Sequence, residues 1–172
     1  GDFITTSKPN IVLCFGEQMT LDAGAFDSYL WSTGETTRTI TINNGGSYWV
    51  DAKSGSCSAI DTIQIIQNPQ IVVIPTPDIT ASPGATVTLD ANATGGTLPY
   101  QFQWTPTTNL QDPATVQSPR VTASVGSQTY IVTITDANDC VARDTITVFV
   151  PSTATTVAIA RREVSATAFG ER

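Results

Sequence analysis

Three cysteines, Cys14, Cys57 and Cys140, are the most chemically versatile side chains in a sequence of 172 residues that contains no histidine. A thiolate can hold zinc, attack a carbonyl or pair with a second sulfur. Zinc needs closely spaced ligands and nucleophilic attack needs a base; these cysteines are dispersed, and the commonest base and transition-metal ligand is missing from the composition. Disulfide chemistry in an oxidising, extracytoplasmic compartment fits them better. No glycine-rich phosphate loop leads into a helix, and no carboxylate pair is marked out for glycoside hydrolysis. The expectation is a non-enzyme with no obligate cofactor.

Two other groups of residues could bind something. Asp136, Asn138 and Asp139 crowd one loop, and oxygen ligands at this density can hold Ca²⁺, although the spacing falls short of a complete binding loop. The same residue types build turns, because their side chains bond nearby backbone and tolerate left-handed geometry. Trp49 lies between Tyr48 and Val50 in a strand-like run, so if Tyr48 is buried Trp49 faces out, where it could stack on a sugar or a neighbouring subunit or lie under its own loops. Asn92-Ala93-Thr94 is a formal glycosylation sequon.

These residues sit on a repeated framework. Gly16-Glu17-Gln18-Met19-Thr20-Leu21-Asp22-Ala23 is answered by Gly84-Ala85-Thr86-Val87-Thr88-Leu89-Asp90-Ala91, and Tyr29-Leu30-Trp31 by Phe102-Gln103-Trp104. Ser47-Tyr48-Trp49-Val50 is answered by Thr129-Tyr130-Ile131-Val132, and Cys57-Ser58-Ala59-Ile60-Asp61-Thr62-Ile63 by Cys140-Val141-Ala142-Arg143-Asp144-Thr145-Ile146. Four correspondences in one order imply two homologous modules. Alternating runs such as Thr37–Ile42 and Tyr130–Thr135, separated by Gly/Asn/Ser turns, imply strands. The fold class expected is all-β, two tandem immunoglobulin-like sandwiches of about seven strands each, spanning 1–68 and 69–151. Trp31 and Trp104 should anchor the two cores, and Tyr48 and Tyr130 should be tyrosine corners, each tied back to the loop before its strand. Asp22 and Asp90, at equivalent positions, should make side-chain-to-backbone bonds.

The repeat also frames the cysteines. A Cys14–Cys57 disulfide would pin the ends of the first module. Ser82 stands where the second module would carry the partner, which leaves Cys140 either a buried free thiol or the donor of an intermolecular bond.

The pattern Cys14-x-Gly16, Tyr29-Leu30-Trp31-Ser32-Thr33-Gly34, Gly46-Ser47-Tyr48-Trp49-Val50 and Cys57-Ser58-Ala59-x-Asp61-Thr62 resembles the Ig-like repeats of large secreted surface proteins of Bacteroidota. Gliding-motility adhesins and other type IX secretion cargo are among them. Residues 78–150 also resemble a PKD-type module. The resemblance implies a cell-surface stalk, spacer or adhesive segment. It also implies O-glycosylation at Thr62 and Thr145, in Asp61-Thr62-Ile63 and Asp144-Thr145-Ile146; a solvent-facing strand edge accounts for the same residues.

The formal net charge of −7 argues against nucleic acid, and no run is long and apolar enough to insert in a membrane. The partners expected are further copies of the chain or neighbouring repeats, and surface glycans through Trp49 and loop carboxylates. Residues 152–172 form no third module, but Thr155–Arg161 could make one more strand, which would join a neighbour and so build a filament, pack on its own domain, or begin a neighbouring repeat in a longer chain.

Overall fold

A strand whose alternate residues are Val, Ile, Leu or Trp has one face that leaves water and one that stays in it, and two such faces closed on each other form a sandwich. The computed structural model describes residues 2–74 and 76–152, so the expected tail strand lies outside the described residues. The described residues contain two such sandwiches in tandem, all-β and immunoglobulin-like.

In the first module, β1 (Thr5–Thr6), β3 (Met19–Asp22) and β5 (Thr39–Ile42) form one sheet in the order β1-β3-β5. Facing it are β2 (Val12–Leu13), β4 (Ser28–Trp31), β6 (Gly46–Ser54) and β7 (Cys57–Gln67), in the order β2-β7-β6-β4, with β2 parallel to β7. The second module carries β8 (Val72–Ile74), β9 (Ile79–Thr80), β10 (Thr86–Thr88), β11 (Asn92–Thr94), β12 (Gln101–Thr105), β13 (Arg120–Thr122), β14 (Gly126–Thr135) and β15 (Val141–Val150). Its larger sheet, β12-β14-β15-β9, repeats the pairing of β4-β6-β7-β2, including the parallel edge strand. The pairs β8–β11 and β10–β13 close the other side.

Each module has its own interior. Leu13, Met19, Leu21, Trp31, Ile40, Ile42, Val50 and Ile65 fill the first. Leu89, Trp104, Val121, Tyr130, Val132, Ile134, Ile146, Val148 and Val150 fill the second. The two tryptophans are fully buried at equivalent places, and each indole N–H finds a carbonyl, Thr37 O at 2.8 Å for Trp31 and Val116 O at 3.0 Å for Trp104. A buried indole donor without a partner would cost about 1–3 kcal/mol, so the loop after each tryptophan is part of the core's design.

The tyrosines differ. Tyr48 Oη donates to Asn44 O, four residues upstream, at 2.8 Å, as a tyrosine corner requires. Tyr130 does not follow that expectation: its hydroxyl reaches across the module to Thr108 O at 2.9 Å. The longer β12–β13 connection passes over the ring and supplies the nearer carbonyl, and burial pushes the Tyr130 pKa up. The equivalent aspartates diverge as well. Asp22 accepts from Gly24 N and from both ends of the Arg38 guanidinium, whereas Asp90 is bonded to the side chains of Asn92 and Ser118 rather than to backbone.

Candidate functional site

The chain passes from β7 into β8 through Asn68, Pro69, Gln70 and Ile71, and the residues that could do chemistry gather around this link. The sulfurs of Cys14 and Cys140 form a disulfide with their Cα atoms 5.5 Å apart. This overturns the Cys14–Cys57 pairing and the free or intermolecular thiol assigned to Cys140; the unpaired cysteine is Cys57, which is exposed. The reason is topological. Leu13 pairs with Gln67 at the end of β7, so Cys14 sits at the end of the first module that faces the second. Cys140 precedes Val141, whose partner Thr135 ends β14, so Cys140 lies on the turn of the second module that faces back. Cys57 pairs with Ser54 across the β6–β7 turn, at the far end of the first module and a full strand length from Cys14.

Beside the disulfide lies a polar cluster that is closed to water. Asn68 and Asp136 are 1% and 2% exposed, and Asn68 Nδ2 donates to Asp136 Oδ2 at 2.6 Å across the two modules. Asn68 Nδ2 also donates to Pro69 O, and Asn68 Oδ1 accepts from Thr97 Oγ1 at 2.8 Å and Asn138 Nδ2 at 2.7 Å. Asp136 accepts three further bonds, from Thr97 N at 2.9 Å, Asn138 N at 2.9 Å and Cys140 N at 3.0 Å. Both side chains therefore use their full bonding capacity within the protein. Burial pushes the Asp136 pKa up, but the bonds from Asn68, Thr97, Cys140 and Asn138 outweigh it and hold the carboxyl below its ordinary value.

Asp136 and Asn138, two of the three residues considered for calcium, thus spend their polar atoms on the turn and the link; Asp139 is exposed, with φ of 62°. Among the described residues no group of three or more acidic or cysteine side chains is placed to hold a metal ion. Gly95 and Gly96, both with positive φ, have a second reason to be glycine. A Cβ on Gly95 would lie 2.0 Å from Gln70 O, and one on Gly96 2.9 Å from Asp136 Oδ2. Together with their positive φ values, these contacts leave no room for a side chain where the second module closes on the link.

A second feature is the outer face of β4-β6-β7. Trp49 is 40% exposed, on the opposite side of the sheet from Val50. Leu30, Asp51 and Ile60 lie side by side in register across the three strands, and Leu30 and Ile60 are 46% and 70% exposed. Asp51 Oδ1, between them, is covered and accepts no hydrogen bond. The second module shows that the fold does not demand this apolar row, because the equivalent register places Gln103, Thr133 and Arg143 there. Thr62 pairs with Trp49 and Thr145 with Ile131; both threonines are exposed on the outer faces, and Asn92 is exposed on β11.

Asp61, the residue before Thr62, is occupied structurally. It accepts from Phe3 N at 2.6 Å, Ile4 N at 2.7 Å and Thr62 N at 2.7 Å, tying the first residues of the chain to β7. Burial raises its pKa and these amides lower it, with a net fall.

No family model and no curated protein matches the sequence. Solved structures show a distant likeness. One is the three N-terminal domains of the Hoc outer capsid protein of bacteriophage RB49, at 18% identity and a TM-score of 0.42, covering 86% of this chain and 58% of that one. Another is extracellular domains 3–5 of Drosophila OTK, at 16% identity and a TM-score of 0.46, covering 82% of this chain and 59% of that one. Titin domains I67–I69 are similar at 13% identity and a TM-score of 0.42, over 87% of this chain and 66% of that one. The chain spans about three fifths of the length of the first two.

Proposed function

We propose that the chain is a non-enzymatic, extracellular structural and adhesive segment, a stalk, spacer or filament unit at a bacterial cell surface. The observation that carries this reading is the doubly closed link. A covalent bond and a saturated buried polar cluster hold two sandwiches in one orientation, and a fixed orientation serves spacing rather than turnover. The disulfide supports an oxidising location. The motif resemblance to Bacteroidota surface repeats supports the cell-surface setting and type IX export. In the oxidised protein, ¹⁵N relaxation is expected to give both modules a single rotational correlation time. Two distinct times would overturn the rigid-spacer reading.

The adhesive part of the proposal rests on the Leu30–Asp51–Ile60 row and Trp49. Along β6 the outward residues run Trp49, Asp51, Lys53, and Lys53 is exposed. Two copies packed face to face about a two-fold axis would bring Asp51 of each near Lys53 of the other, between the apolar side chains. That contact sets opposite charges beside each other and covers the exposed isoleucine and leucine. Leu30→Gln with Ile60→Arg copies the second module's own choices and should fold unaided. Sedimentation is expected to show self-association of the parent chain and none of the variant. A parent chain that stays monomeric at high concentration would sink the contact, and loss of glycan binding in Trp49→Ala would point to a sugar instead.

A further inference from the structure

We infer that the Cys14–Cys140 disulfide gives the chain a further, mechanical function: it diverts tension around almost the whole of both modules, so that the oxidised segment bears load without lengthening. Tension that enters before Cys14 and leaves after Cys140 has two covalent routes. One runs through the disulfide; the other runs through the 126-residue loop that it closes, and the disulfide route is the shorter by far. While the bond is intact, residues 15–139 carry no load along their backbone.

The elements that do carry it lie almost end to end. β1 enters at the far end of the first module, where Thr5 pairs with Asp22, and β2 reaches the link, where Leu13 pairs with Gln67. The disulfide crosses the link. β15 then runs from Val141 beside the link to Val150 at the far end of the second module, paired with β14 at ten positions. Load on β15 acts along a strand that is already extended and is held at its start by the disulfide, so the tension passes along β15 itself and its ladder to β14 is not the restraint. The start of the line is pinned to β7 by the Asp61 carboxylate, which holds Phe3 N and Ile4 N.

Detachment of these strands would add little length. A strand already rises about 3.3 Å per residue, and a fully drawn chain reaches only about 3.6 Å. Reduction changes this. The route then passes through Asn68 and every strand of both sandwiches, and unfolding releases a loop of 126 residues, worth about 400–450 Å of contour at that rise. The disulfide is thus an extension limiter. The inference follows from connectivity and holds whatever partner the outer face meets.

Single-molecule stretching of the full chain between handles at its two ends tests this. The oxidised protein is expected to lack unfolding steps that sum to several hundred ångströms. Treatment with a phosphine, which takes up the oxygen of water as the disulfide becomes two thiols, is expected to add about 400–450 Å, and Cys140→Ser should behave as the reduced protein does. Cys57→Ser should leave the oxidised trace unchanged, which separates the bypass from any other pairing. Long unfolding steps in the oxidised chain, or no gain on reduction of a chain whose circular dichroism remains that of a folded β-protein, would overturn the inference.

Discussion

Asp136→Ala is expected to destabilise the second module by roughly 3–5 kcal/mol, because several hydrogen bonds to a charged group, each worth about 1.5–3 kcal/mol, are lost together. Alanine would strand four donors at once: Asn68 Nδ2, Thr97 N, Asn138 N and Cys140 N. Each buried donor left alone costs about 1–3 kcal/mol, and water entering the small space left behind would recover part of it. Asp136→Asn should cost less, because one oxygen still accepts while the new amide faces donors. Urea unfolding of the two variants checks the order. Acid gives a second readout. The folded carboxyls of Asp136 and Asp61 hold their charge to lower pH than the unfolded chain does. Their stabilisation is therefore complete above about pH 4, where the unfolded carboxylate is ionised, and is lost as pH falls through the lowered folded values. The chain has no histidine, the side chain that ordinarily changes charge between about pH 5 and 8. Asp136→Asn should flatten the acid limb; an unchanged limb would mean that this carboxylate is not bound as described.

The fold was legible in the sequence because it rests on period and repetition. Alternation in Thr37–Ile42 and Tyr130–Thr135 gives strands, and the paired Trp31 and Trp104 mark the two interiors; both are buried as a two-fold repeat requires. The link was not legible, for a physical reason. A repeat aligns residues that play equivalent parts within a module, whereas a contact between modules joins residues that play different parts. Cys14 ends an edge strand and Cys140 lies on a turn, so alignment never sets them side by side. One clue was present. Cys57 is the repeat equivalent of Cys140, and on the second module that corner is the one that faces the first. Asn68 was equally silent. Beside Pro69 it reads as a linker residue, and only the approach of Thr97, Asp136 and Asn138 turns its amide into the centre of a buried cluster. Gly95 and Gly96 carried half of that signal, since paired glycines mark either a turn or a close approach, and here they serve both. The unlike outer faces could be read from the aligned pairs Leu30 with Gln103 and Ile60 with Arg143, once alternation had assigned them to the solvent side.

Cys14→Ser and Cys140→Ser are each expected to lower unfolding stability by about 5 kcal/mol summed over the two modules, the chain-entropy value for closing a loop of 126 residues. The same model gives Cys57→Ser no effect, because that cysteine is exposed and closes no loop. The comparison is sharp because the alternative pairing reverses it. Were Cys14 bonded to Cys57, the Cys57 variant would be the damaged one and the Cys140 variant the silent one. Thiol titration of the unfolded, unreduced chain should find one reactive thiol in the parent and none in Cys57→Ser. Native-state hydrogen exchange then distinguishes a lost crosslink from a damaged core. Loss of the crosslink should raise exchange first at Asn68 and Cys140, whose amides bond Leu13 O and Asp136 Oδ1 beside the link, while the amides of Val50 and Val132, deep in the paired sheets, keep their protection until global unfolding. Early exchange at Val50 and Val132 instead would mean that the bond supports the sandwiches themselves, and the link would no longer be the element that the disulfide secures.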